Sequence, residues 1–133
     1  MFAHDPPWLP LSLCEALENY ARQRGVSVIA RSGRGFLTAY KIVSGEPAML
    51  GRDPYNKKHW TEVRRLYINR NLGSATKNRE KMWITHNGHE VPSRRHLALI
   101  MWAYSPTPRR LHRWVRQMAH QERQKLETKN RTS

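Results

Sequence analysis

Apolar positions along the chain follow two periods, and each period marks a kind of element. From Leu97 to Tyr104 the residues are nearly all apolar. A helix that is apolar all round is usually a buried one. Ser105-Pro106-Thr107-Pro108 interrupts the run. Thr107 is placed to N-cap a second helix, with Pro108 at its first position. There Leu111, Trp114, Val115 and Met118 recur at i, i+3, i+4 and i+7, which is one face of a helix. The other face carries Arg109, Arg110, His112, Arg113, Arg116 and Gln117.

The same reading extends upstream. Residues 1–11 hold three prolines and are expected to form an extended arm. Ser12 and Glu15 have capping-box spacing, so a helix is predicted from Ser12 to Arg24. Its inward residues would be Leu13, Ala16, Leu17, Tyr20 and Ala21, and Gly25 would end it. Residues 26–31 read as a strand and 32–35 as a turn; 36–43 suit a second strand or a short helix. Gly33-Arg34-Gly35 is either a plain turn or a phosphate contact. Asp53-Pro54 is expected to cap a helix over 55–70, with Trp60, Val63, Leu66 and Tyr67 inward. Asn87-Gly88 between short β-prone runs predicts a hairpin over 82–91. Pro92 would stop it, and Ser93 would cap the buried helix. The expected fold is α+β, mainly α: four helices, one or two β-hairpins and a C-terminal pair of helices. Residues 12–128 form the single domain of this reading, and 129–133 a flexible tail.

Charge adds a partner to this outline. The chain of 133 residues carries a formal net charge of +14. Residues 1–50 contribute five basic and four acidic groups, hence +1, and residues 51–133 nineteen and six, hence +13. Such asymmetry points to a polyanion, most often nucleic acid. One cysteine, Cys14, excludes an internal disulfide and fits a reducing compartment. The N-terminus lacks the basic start of a signal peptide, and no run of about 18 apolar residues exists, so a cytoplasmic, non-membrane protein is expected.

The stretch from Leu97 to Gln117 resembles helix-turn-helix DNA-binding proteins over about 20 residues. Ile100 takes the fourth position of that motif, Tyr104 the eighth, Ser105 the ninth, Leu111 the fifteenth and Trp114 the eighteenth. Met101 stands where the motif prefers a small residue, and Pro106 where it prefers an apolar one. The resemblance implies that Arg109, Arg110, His112, Arg113, Arg116 and Gln117 face base edges and phosphates. Arginine pairs bidentately with guanine, and glutamine with adenine. Arg94, Arg95, Lys57, Lys58, Arg64 and Arg65 would add contacts from neighbouring helices. The alternative is a plain αα-hairpin whose second helix is basic.

The expectation is therefore a small duplex-DNA-binding protein, a transcription regulator or accessory factor of the kind a phage or plasmid would carry, with homodimerisation open. Two other classes stay open. One is an RNA or single-strand binder, including a ribonuclease toxin in which His86, His89 and Glu90 would do acid–base chemistry. The other is a basic inhibitor of a protein partner. Burial of Trp60, Tyr67 and Trp83 would favour duplex binding over single-strand stacking. His86 and His89 lack the further ligands a zinc site needs, so no metal and no cofactor is implied.

Overall fold

The computed structural model describes residues 5–26 and 35–131. It is mainly α with one small antiparallel sheet. In chain order it runs α1 (Leu11–Ala16), α2 (Glu18–Gln23), α3 (Phe36–Ile42), a 3-10 turn (Pro47–Met49), α4 (Trp60–Lys77), β1 (Trp83–His86), β2 (His89–Pro92), α5 (Arg94–Ile100) and α6 (Pro108–Arg131). The expected strand over 26–31 and the Gly33-Arg34-Gly35 turn fall mostly on residues 27–34, outside the described residues.

Local chemistry explains where the elements begin. The arm is extended, as its prolines require, but it is built into the domain. Leu9 is buried, and its N–H donates to the Ala103 carbonyl at 2.8 Å. Tyr40 Oη donates to the Leu9 carbonyl at 2.8 Å. With the arm pinned there, the first helix starts at Leu11, one residue before Ser12, and the expected capping box does not form. The single helix predicted over 12–24 is broken at Leu17, which is itself fully buried, while Ala16 is exposed rather than inward. Residues 36–42 form a helix, not a strand. Its exit runs close beneath α1: a Cβ on Gly45 would lie 2.7 Å from the Leu11 Cβ, and Gly45 has a φ of +75°. Only glycine meets both demands.

The helix predicted over 55–70 is displaced. Asp53 Oδ1 accepts the Tyr55 N–H, Asp53 and Lys58 pair through their backbones, and Arg52 bridges to His59. Residues 52–59 thus close a loop on themselves, and His59 becomes the N-cap by accepting the Thr61 N–H on Nδ1. At the other end the helix passes through Asn71-Leu72-Gly73-Ser74, where an end was expected. Arg95 of α5 bonds to Asn71, Ser74 and Glu80 and straps that last part down. The buried face is Trp60, Arg64, Ile68 and Ala75, while Leu66 is 42% exposed.

The hairpin and the cap of α5 match expectation. His86 pairs with His89 and Trp83 with Pro92, with Asn87 and Gly88 both at positive φ. The Ser93 hydroxyl accepts the His96 N–H at 3.1 Å. A contiguous core joins residues from the arm and from α1 to α6. Within it Tyr67, Trp102, Phe36 and Tyr40 form a near-parallel run of rings, with successive centroids 4.2, 5.0 and 5.5 Å apart. Trp102 and Trp114 are both half-buried, but they serve different places. Trp102 packs on Phe36, Trp60 and Tyr67; Trp114 packs on Tyr20 and Trp83.

Candidate nucleic-acid interface

The last helix dominates one side of the molecule. Its 24 residues give it a length of about 36 Å. Its first half is anchored by Leu111, fully buried, and by Trp114 and Val115, partly buried against the core. Residues 121–128 are exposed all round, so the second half projects from the domain.

The start of α6 is held by a polar network that sequence reasoning did not find. His96 is fully buried on α5. One ring nitrogen, Nδ1, lies 3.0 Å from the Met82 carbonyl, and Nε2 lies 2.7 Å from Ser105 Oγ. A carbonyl only accepts, so Nδ1 carries the proton and Nε2 accepts from the Ser105 hydroxyl. Ser105 Oγ in turn accepts the Thr107 N–H. Thr107 stands just before Pro108, as expected of an N-cap, and its hydroxyl accepts the Trp83 indole N–H at 3.0 Å. Burial pulls the His96 pKa down to about 4, although its bond to Met82 opposes this, so the ring is neutral at pH 7. Hairpin, α5 and α6 thereby share one set of bonds around an uncharged imidazole.

The seven-residue connection 101–107 carries its positive φ at Ala103, +58°, two residues before Ser105, the ninth position of the helix-turn-helix register. The link is therefore longer than the three- or four-residue turn typical of that motif.

The structure sorts the predicted contact residues into two groups. Arg64, Arg95 and Arg110 are committed to the fold. Arg64 is buried beneath the arm, which removes it from any surface. Arg95 is the strap across α4, and Arg94 bonds to the Gly25 carbonyl. Arg110 lies over the Trp83 ring, 4.4 Å from its centroid, and pairs with Glu90. Together with the Trp114 indole, which donates to the Glu90 carbonyl, it fixes the hairpin against α6. Each of these arginines was placed outward because local periodicity cannot reveal partners 15 or more residues away.

The second group faces water. Arg109, His112, Arg113 and Arg116 line one shallow depression on α6. Arg109, Arg113, Arg116 and Arg123 form no ion pair among the described residues. No acidic residue occurs between Val91 and Gln121. The row was predicted as far as Gln117. His120 and Arg123 continue it, as the i+4 and i+7 spacing from Arg116 would have indicated. From Arg109 to Arg123 it extends about 21 Å along the helix. Gln117 is also exposed, and lies with Arg113, Tyr20, Trp114, Gln121 and Lys125 along a groove of about 570 Å³ between the hairpin and α6. Lys57 and Lys58 are exposed on the loop before α4, and Arg65 is half-buried beside Asp5 and Glu62. The structure does not bring these three into the α6 depression.

His86 and His89 oppose each other across the hairpin turn, both exposed, with the Glu90 carboxylate taken by Arg110. Among the described residues, no group of three or more His, Cys, Asp or Glu is placed to hold a metal ion. Cys14 is fully buried, and burial raises its thiol pKa to about 12, so it stays protonated and unreactive. Among the described residues no helix is long and apolar enough to cross a membrane. No family model, curated protein or solved structure matches the chain.

Proposed function

We propose that this protein binds duplex DNA through the outward face of α6, as a small regulator or accessory factor acting where the cell's DNA is. The observation that carries the reading is the row Arg109, Arg113, Arg116 and Arg123: cations left without acidic partners on a rigid, projecting helix, while other arginines of the same chain are paired off. Leaving such charges in mutual repulsion is a cost that a polyanion removes. A helix about 10–12 Å across fits the B-DNA major groove, whereas the A-form RNA major groove is too deep and narrow to admit it. Trp60 is buried, and Tyr67 and Trp83 are packed in ring clusters, so the described residues present no open array of aromatics for a run of stacked bases.

Within this reading Arg113 and Gln117 read base edges, Arg109 and Arg116 hold phosphates, and Lys57 and Lys58 add charge from elsewhere on the surface. Arg113→Ala is then expected to lose about 1–3 kcal/mol on a duplex selected from a random pool, and much less on a scrambled one. Lys58→Ala should weaken both alike. Paired titrations at one fixed salt concentration check this. Equal losses on both duplexes for Arg113→Ala would leave α6 as a phosphate-binding helix without base readout.

A further inference from the structure

A second site lies outside the α6 face, and it deepens the nucleic-acid reading on which it rests. Between α3, the 53–56 loop and α4 is a cleft of about 310 Å³. Its walls include Phe36, Trp60, Val63, Tyr67 and Trp102, and Asp53, Asn56 and Arg70 also line it. Five of its lining residues are aromatic, counting Tyr55 on the loop. Most ring surface in this chain is spent on other rings, yet this cluster leaves an opening to solvent. From the cleft we infer that the protein holds a single unpaired nucleobase of a nucleic-acid strand.

Shape, chemistry and charge agree on that occupant. The volume is at the lower end of small-molecule sites, enough for one base with its sugar and too little for a stacked run. Phe36, Trp60 and Trp102 form its packed floor, and the more open rings of the lining are Tyr67 and the exposed Tyr55, flat groups of the kind on which any base can stack. Polar groups suited to a base edge are in the lining. The Asn56 amide offers both a donor and an acceptor. Asp53 is buried, and its Oδ1 already accepts the Tyr55 N–H at 2.9 Å, which fixes the carboxylate in place as an acceptor for a base N–H, such as N3–H of thymine. That carboxylate repels a phosphate, so the strand's phosphate falls to Arg70, the one cation of the lining. Arg70 is exposed on α4 and forms no ion pair among the described residues. Lys57 and Lys58 follow the lining residue Asn56 in the chain and are exposed. An apolar peptide side chain would use the rings but not these charges.

The test compares a hexathymidine strand with a hexamer of the same phosphates lacking all bases. The readout is tryptophan fluorescence, since Trp60 and Trp102 line the cleft. The wild-type chain should bind the base-bearing strand at least about five-fold more tightly, with quenching, and ultraviolet crosslinks should map to the 55–70 segment. Arg70→Ala and Asn56→Ala should each lose most of that gain while melting like the wild type and binding duplex unchanged. Equal binding of the two hexamers, or a gain that survives both substitutions, would overturn the site. So would saturable quenching by free adenosine monophosphate with no gain for the strand, which would assign the cleft to a free nucleotide. Duplex binding with no base-dependent gain removes this cleft and leaves the α6 reading. A base-dependent gain without duplex binding does the reverse.

Discussion

Replacing Arg64 with methionine should cost about 3–5 kcal/mol, a large share of the stability of a domain this size. The side chain is fully buried, and it makes four hydrogen bonds and one ion pair. Nε donates to the Trp102 carbonyl at 2.8 Å. Nη1 donates to the Pro6 carbonyl at 2.8 Å and lies 3.5 Å from Asp5 Oδ1. Nη2 donates to the carbonyls of Pro7 and Ala103 at 2.7 and 2.9 Å. The Trp8 ring covers the guanidinium at 3.7 Å. Burial pulls the Arg64 pKa down to about 10, with Asp5 opposing, so the group is still charged at neutral pH. Methionine fills much of the space but leaves the carbonyls of Pro6, Pro7 and Trp102 without the donor they had, each costing about 1–3 kcal/mol if it stays dry, while Ala103 keeps the Leu9 N–H. Arg64→Lys should recover less than half of the loss, because an ammonium cannot spread five donors in a plane. Urea unfolding of the three proteins checks this. A methionine variant within about 1 kcal/mol of wild type would show that the clamp on the arm is dispensable.

Acidification should act through His96. Its pKa is about 4 in the folded chain against an ordinary 6.5. Between those values the unfolded chain binds the proton and the folded chain does not. Stability from this group is therefore complete above about pH 6.5 and falls as the pH drops towards 4. From pH 7.5 to pH 4.5 the loss should be about 2–3 kcal/mol. A protonated ring could no longer accept from Ser105, so the break falls at the joint between the hairpin and α6. His96→Gln keeps a donor and an acceptor but cannot take up the proton. Carboxylates that titrate in this range do so in both proteins, and the difference between the two stability–pH curves isolates His96. Parallel curves would mean that the imidazole is not what acid attacks.

What could be read in the sequence was what local chemistry decides. Asn87-Gly88, Ser93, Pro108 and the apolar row on α6 each act within one turn of chain, and each is found where expected. The mainly α fold followed from them. Longer-range chemistry was hidden. Asp53-Pro54 looked like a helix cap, but its carboxylate closes a loop that returns to His59. Arg64 looked like surface because its acceptors lie in the arm and after α5. Arg110 and Arg95 were misplaced for the same reason, their acidic partners being Glu90 and Glu80. Nothing in the local spacing of His96 announces Met82 or Ser105. The row from Arg109 to Arg116 was legible because it depends on helical period alone, which also carries it on to Arg123.

The outward row is tested most directly by salt. Binding of a fixed duplex is measured over a range of salt concentrations for the wild type and for the triple variant Arg109→Ala, Arg113→Ala, Arg116→Ala. These residues are exposed and form no ion pair among the described residues, so the variant should melt as the wild type does. With about 6–8 phosphate contacts, log K for the wild type should fall against log salt with a slope near −5 to −7. Each lost phosphate contact removes about 0.9, and Arg109 and Arg116 hold phosphates, so the variant's slope should be shallower by about 2. A wild-type slope flatter than about −2, or a variant with the wild-type slope, would contradict the assignment of α6 as the DNA-binding helix.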